Sequence, residues 1–385
     1  MANFMKKLKC NLMENSLQSL IWLINLVPNI CGFSYFESKA GAPFFIFSIV
    51  STSYIVLMGT VVYLIRFTNG YLDTVKSYLN ILVYTVVWNA WRWLCFERKG
   101  LRKVLKLIKN NNDMPMQFER STGKRKGIFK YLKTIVLICY ALHFFNEILI
   151  YLPKRLAETD EFSIVSCVGL EPISESPNKE ICKALLTIQL FGAMVVVVSY
   201  DTTFLFLFGY TASMFSILRE EIMSLDVRDE DTERQEVVET VENRLKNIVN
   251  RHSLTLHTVE NIQNIYNFSI GVSVGEDAIT MCLFFVMPLN VSLNFIPLLI
   301  HDFLAFFLYC YQGQKITTAA ERFEMEVYSC GWENFGVKEQ KMILTMLRQS
   351  QKPVIINAAS VVPICIYTFA CTMQSIYKFG AAFKS

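Results

Sequence analysis

The chain has 385 residues; 53% are hydrophobic, 18% are charged, thirty are phenylalanine, and the formal net charge is only +4. With a mean hydropathy of +0.34, this excludes a soluble core and matches a polytopic membrane protein, with the lipid bilayer and no nucleic acid as expected partners. The four histidines (His143, His252, His257, His301) have no zinc-type spacing and the eleven cysteines include no C-x-x-C, so no metal or cofactor is expected.

The first twenty residues, MANFMKKLKCNLMENSLQSL, are basic and then polar. They lack the layout of a signal peptide, so the start of the chain is expected to be retained. Residues 17–36 are apolar but broken by Asn25, Pro28 and Asn29, each costly at the centre of a bilayer. They read as an interfacial or re-entrant element within a cytosolic N-terminal segment, 1–42. Apolar runs long enough to cross about 30 Å of hydrocarbon then recur at 43–65, 74–96, 131–152, 185–210, 266–287, 290–312 and 354–382.

The expected fold is therefore all-α, with seven transmembrane helices. Spans one to four occupy 43–210, with an outer loop at 153–184; a cytosolic helical segment follows at 211–265. Spans five and six lie at 266–312, a cytosolic connection with the first piece of the last helix at 313–352, and the last membrane helix at 353–385. With the N-terminus inside, the inner segments hold 26 Lys and Arg against 8 outside, which places the N-terminus in the cytosol and the C-terminus outside.

The outer loop carries six acids against four bases together with Pro172 and Pro177, and reads as a folded lid. It contains Cys167 and Cys182, where an oxidising exterior allows a disulfide; two free thiols are the other reading. Between Arg219 and Tyr266 the chain is highly charged yet periodic. Val238, Val241, Leu245, Ile248, His252, Thr255, Val259, Ile262 and Tyr266 step by three and four as a heptad-like seam. Glu242 and Lys246 are ordered for an i,i+4 pair. No Pro or Gly intervenes before Gly271, so this cytosolic helix should run directly into span five. The seam either folds back on its own bundle or packs on other helices in a shared assembly domain.

On the last span, Thr368, Thr372, Ser375, Phe379 and Ala382 share one face at intervals of four and three. A stripe of small and hydroxylated side chains in lipid serves close helix packing or lines a watery path. Pro353 and Pro363 divide the region into a cytosolic piece and a membrane piece.

Three stretches carry a resemblance: YCYQGQKI at 309–316, EVYSCGWENF at 326–335 and MLRQSQKPVIINAASVVPICIYTF at 346–369. In that order and spacing they resemble the C-terminal signature of insect odorant receptors, over about a fifth of the chain. The resemblance implies an odorant-gated, non-selective cation channel of four subunits around a central pore, an odorant-specific subunit assembled with an olfactory co-receptor. It implies a multi-pass protein of the plasma membrane, in sensory-neuron dendrites. It makes Thr368, Thr372, Ser375, Phe379 and Ala382 pore-lining candidates and the seam an assembly surface. The chain departs from the co-receptor in ending GAAFKS, small and then basic where the co-receptor closes its outer mouth with bulky aliphatic residues.

The resemblance also implies a pocket for a small volatile odorant in the outer half of the membrane, among spans two to six. Depth and chemistry select Tyr78 and Leu82, Phe145, Ile148 and Tyr151, Phe191 and Val195, and Phe284, as apolar and aromatic walls, each of which serves equally as interhelical packing. Glu147, Asp201, Glu276, Asp277 and Asp302 are intramembrane acids, each costing roughly 2.5 to 3.5 kcal/mol at mid-bilayer; ion exits, structural hydrogen bonds and protonation all stay open for them. The alternative of a seven-helix chemoreceptor signalling through a G protein requires the opposite topology, and no D-R-Y or N-P-x-x-Y is present. A secondary transporter needs matched broken helices in two halves. An enzyme needs a nucleophile, base and orienter arrangement that is not found.

Overall fold

Fifty-three consecutive residues, Arg234–Val286, form a single α-helix, about 80 Å long at 1.5 Å per residue. That is far more than a bilayer's thickness, so its first half stands outside the membrane. The computed structural model containing it describes residues 2–30, 32–36, 43–66, 70–115, 119–145, 167, 169–170, 175–225, 234–293 and 296–384.

In chain order the helices are α1 (Ala2–Met13), α2 (Leu17–Ile24) and α3 (Leu26–Ile30). Next, α4 (Pro43–Tyr54) continues through a π-helical stretch, Ile55–Val62, into α5 (Tyr63–Arg66). Then come α6 (Tyr71–Phe96), α7 (Arg98–Asp113), α8 (Glu119–Phe145), α9 (Asn178–Met223) and the long α10 (Arg234–Val286). The series ends with α11 (Leu289–Ser292), α12 (Ile296–Tyr328), α13 (Val337–Ser350), a two-stranded hairpin of β1 (Asn357–Ala358) and β2 (Val362–Pro363), and α14 (Ile366–Lys384). Among the described residues, Gly123–Phe145, Asn178–Met223, Val241–Val286 and Ile296–Asn334 are long and apolar enough to cross a membrane. They overlap four of the seven expected spans, the third of which runs past Phe145 outside the described residues; the first and second overlie α4 to α5 and α6, and α14 covers only residues 366–382 of the last. The expected sixth span at 290–312 instead begins at Ile296, after the short α11.

Helix α9 is the hub. Nearly every residue from Val198 to Ile222 is buried, because α8, α12, α10, α4 and α6 all pack around it. An aromatic column runs beside it: Trp93 meets Tyr266 at 5.0 Å and Tyr200 at 5.3 Å, and Phe204 stacks on Phe208 at 4.0 Å. Such pairs contribute about 0.5–1.5 kcal/mol each beyond the area they bury.

The break at Asn25 organises the N-terminal segment. Its side chain donates to Ser34 Oγ (3.1 Å) and accepts from the Tyr35 N–H (2.7 Å), so the chain turns back and Tyr35 donates its hydroxyl to Ser199 O on α9 (3.2 Å). Leu20, Leu23 and Ile24 are buried, and Tyr140 of α8 donates to Leu23 O (3.0 Å).

The seam is largely buried within its own chain. Leu245, Ile248, His252, Thr255, Ile262 and Tyr266 are all at most 3% exposed, packed against α7, α9, α12 and α13. At these six positions the heptad pattern records a buried face whose partner is this chain's own bundle, the first of the two readings, and these side chains are covered against contact with another subunit; Val241 and Val259 are half-buried. Arg251, 1% exposed, faces Glu221 of α9 (3.1 Å) and donates to Asn111 O (3.1 Å) and Oδ1 (3.2 Å) of α7. One guanidinium thus joins three helices. The expected Glu242–Lys246 pair is present, and Glu242 also accepts from Lys338 of α13 (2.7 Å), which holds the Lys338 ammonium above the usual lysine range.

The last helix starts at Ile366 instead of at 353 or 354. Residues between α13 and α14 form the hairpin, with Asn357 opposite Pro363 and Ala358 opposite Val362. Pro363 tolerates this place because a short edge strand does not need its missing N–H. Ala359 and Ser360 at the turn both have positive φ, 49° and 59°, the backbone of a type I′ hairpin turn.

Candidate ligand pocket and last helix

The interior splits by depth. One continuous core fills the middle and the α7–α13 end, whereas toward the other end of the bundle two small apolar clusters stand apart. In one, Val75 and Leu79 of α6 meet Phe284 and Met287, with Leu298 and Leu299 of α12 against them. In the other, Ile55 meets Tyr84 of α6, with Tyr54 and Leu186 beside them. Separate small clusters leave less mutual packing than one core does, which suits a region that admits a small apolar guest.

The expected pocket residues divide accordingly. Phe284 is 7% exposed and central to the first cluster. Leu82, Phe191 and Val195 are half-buried. Tyr78 and Phe145 are exposed, at 49% and 57%, so they lie on the outside of the single chain: on α6 the buried positions are Val75 and Leu79, and Tyr78 faces away from them. Ile148 and Tyr151, like Glu147, lie outside the described residues. Of the outer loop, Cys167 and Cys182 are joined by a disulfide, with Cα atoms 5.8 Å apart. This ties Cys167 of the loop to the second turn of α9.

Below the clusters lies a polar layer that spacing along the chain did not reveal. Asp201 accepts from Tyr309 (2.9 Å) and meets His143 Nε2 at 3.0 Å; His143 contacts His301 edge to face at 5.4 Å, and His301 Nδ1 lies 3.2 Å from Asp302. Glu276 accepts from Thr280 (2.8 Å), and Asp277 is buried next to it. The donor atoms of His143, Asp201 and His301 lie within 4.8 Å of one another, as do those of Glu276, Asp277 and Asp302; either trio could hold a metal ion by proximity. Three of the four helices that supply these residues are far apart in sequence, so only the isolated acids were visible beforehand.

The last helix is anchored along one face. Phe369 packs among Phe303, Phe306 and Phe307 with ring centroids 5.2–5.4 Å apart, and Ile376 is 3% exposed. At Gly380 a Cβ would come within 2.7 Å of the Phe285 ring. Residues 369, 373, 376 and 380 thus face the bundle, and the stripe 368, 372, 375, 379 and 382 lies roughly 100° around the helix from them at 100° per residue. Thr368 and Thr372 are half-buried; Ser375, Phe379 and Ala382 are exposed.

Upstream, the hairpin is fixed to α10. Gln263 donates to Asn357 O (2.8 Å) and accepts from Asn357 N (2.9 Å), Ala359 N donates to Asn267 O (2.8 Å), and Asn267 Oδ1 accepts from Ser360 N (2.6 Å). Helix α12 approaches through Gly313, where a Cβ would overlap the Ile364 carbonyl oxygen and lie 3.1 Å from its carbon. The foot of α14 is therefore held to both long helices.

Residues 78–377 match the family described as 7tm Odorant receptor. Among curated proteins of Drosophila melanogaster, odorant receptor 69a, isoform A, is 22% identical over 172 residues, 44% of this chain and 42% of that protein. Odorant receptor 92a is 25% identical over 146 residues, 37% of this chain and 36% of that protein. The matched stretches thus span less than half the length of these relatives. The solved insect olfactory receptor OR5 from Machilis hrabei in complex with eugenol superposes with a TM-score of 0.78 at 14% identity, covering 95% of this chain and 98% of that one. The structure of the same receptor described without eugenol gives 0.76 at 12% identity, covering 95% and 97%. With a family match over most of its length and a shared fold, the chain belongs to the insect odorant receptor family.

Proposed function

We propose that the chain is the odorant-specific subunit of a ligand-gated, non-selective cation channel in the plasma membrane, assembled as a tetramer with an olfactory co-receptor. It spans the membrane seven times with its N-terminus in the cytosol. A small, volatile, apolar ligand settles in the outer half of the bundle, where Phe284 belongs to one of the two small apolar clusters and Leu82, Phe191 and Val195 are half-buried. The OR5 receptor that shares the fold binds eugenol, a ligand of that size class.

The observation that carries this reading is the one-sided anchoring of α14. Phe369, Ile376 and Gly380 meet the bundle, while Ser375, Phe379 and Ala382 are open on the single chain, as a helix bordering a shared central pore requires. Ligand binding shifts gating only by its preference for the open form; the hairpin between α10 and α14 is the route by which strain near Phe284 reaches the pore helix.

The test is cysteine substitution at Thr368, Thr372 and Ser375 in subunits expressed with the co-receptor. A water-soluble thiol reagent is expected to alter odorant-evoked current at one or more of these positions in the open state. Inert cysteines at all three, with unchanged permeation, would remove the pore assignment. Current that strictly required GTP in excised patches would favour the G-protein reading instead.

A further inference from the structure

A second recess lies at the opposite end of the bundle from the expected pocket. It is a cleft of about 1080 Å³ floored by α9, walled by α8 and α12, and reaching Ile366 at the first turn of α14. Four bases line it, Lys124, Arg219, Lys315 and Arg322, against one carboxylate, Glu220. Lys124 is paired with Glu220, and Arg219 with Glu326 through a single carboxylate oxygen at 2.8–2.9 Å. Lys315 lies over the Tyr131 ring at 4.7 Å. Arg322 is exposed and has no ion-pair partner among the described residues. Thr318 accepts from Gln314, so its own hydrogen is free to point into the cleft.

The level of the cleft is given by its two walls. Along α12, the outward positions Ile300, Leu304 and Leu308 are exposed and apolar; Tyr311 follows, then Lys315 and Arg322, at steps of three, four or seven. Along α8, in the reverse chain direction, exposed Leu142 and Ile138 are followed by Tyr131 and then Lys124. Each wall passes from aliphatic to aromatic to basic, the order of a surface that leaves hydrocarbon, crosses the headgroup level and enters water. The Lys315–Tyr131 contact sets the two ladders level with each other. Basic pockets between membrane helices at this depth hold phosphorylated headgroups, and guanidinium groups bind phosphate through paired donors.

We propose that this cleft binds a membrane lipid with a polyphosphorylated headgroup, such as a phosphoinositide, with Arg322, Lys315 and the unpaired donors of Arg219 on its phosphates. The acyl chains would lie along the aliphatic parts of α8 and α12. Because Ile366 borders the cleft, a bound headgroup touches the foot of the last helix. The assignment rests on the proposed topology only for which leaflet supplies the lipid.

The experiment uses the purified full-length chain in detergent, where neither current nor orientation enters, so failure of the channel reading leaves it intact. Retention of phosphatidylinositol bisphosphate is measured by native mass spectrometry for the wild type, for Arg322→Gln/Lys315→Gln, and for the charge-matched control Lys103→Gln/Lys106→Gln on α7. Each juxtamembrane base contributes about a fivefold preference, so the cleft pair is expected to lower retention about thirtyfold and the control pair by less than about threefold. Thermal midpoints confirm that both variants are folded. Equal retention by the two pairs would overturn the site. Displacement of the lipid by equimolar, water-soluble inositol trisphosphate would overturn the lipid as occupant and assign the cleft to a soluble polyphosphate.

Discussion

Gly313 and Gly275 are both glycines within membrane helices, yet the same substitution at each should have opposite effects. At Gly275 a Cβ would meet nothing within 4 Å, so Gly275→Ala removes backbone freedom from the unfolded chain and gains up to about 1 kcal/mol. At Gly313 the added carbon overlaps the backbone carbonyl of Ile364, which no side-chain rotation can relieve. Restoring ordinary contact needs a displacement of about 1 Å, enough to break the 2.8 Å bond from Ile364 N to Ile356 O that extends the hairpin. Overpacking costs about 1–3 kcal/mol; after the helix-propensity gain of about 1, a net loss of up to about 2 kcal/mol is expected. Thermal unfolding of the purified chain should show a midpoint lowered by a few degrees for Gly313→Ala and raised by about one degree for Gly275→Ala. In cells, Gly313→Ala should also reduce odorant-evoked current by shifting the foot of α14. Midpoints moving in the same direction by the same amount would refute the claim that α12 and the hairpin meet at van der Waals contact.

Arg251→Met leaves Glu221 buried and uncompensated, so a loss of about 3–5 kcal/mol is expected; adding Glu221→Met should recover more than half of it, and a double variant no better than the single one would show that the pair is not the source of the cost. Gln263→Leu strands both the N–H and the C=O of Asn357, at about 1–3 kcal/mol for orphaned backbone groups, and amide exchange over residues 351–365 should accelerate at least fivefold; unchanged protection there would show that α10 does not hold the hairpin.

The sequence announced most of the helices through the period of their apolar residues, and the continuity of α10 through the absence of Pro and Gly before Gly271. Periodicity says that a face is buried and not against what, which is why the seam from Leu245 to Tyr266 was open to an intersubunit reading until α7, α9 and α12 were seen to cover it. Residues 354–365 are a short apolar run with several β-branched side chains, a pattern that helix and strand share. Pro363 was the one local sign against an uninterrupted helix, and the hydrogen bonds from Gln263 and Asn267 that fix the hairpin come from about ninety residues away. Depth selected Phe284 correctly as an interior side chain but could not fix rotation about α6, where Leu79 turned inward and Tyr78 outward. The His143–Asp201–Tyr309 arrangement joins three separate helices, so no linear spacing could announce it.

The uninterrupted α10 makes Phe284 and Asn267 two points on one rod, seventeen residues and about 26 Å apart. A rod hydrogen-bonded along its whole length does not absorb a rotation locally. A tilt of about 3° pivoting near Asn267 would carry Phe284 more than 1 Å sideways, and pivoting at the Phe284 end would carry the hairpin as far. The receptor thus has a stiff lever built into its chain, whose short load is the foot of α14 and whose handle ends in the apolar cluster around Phe284.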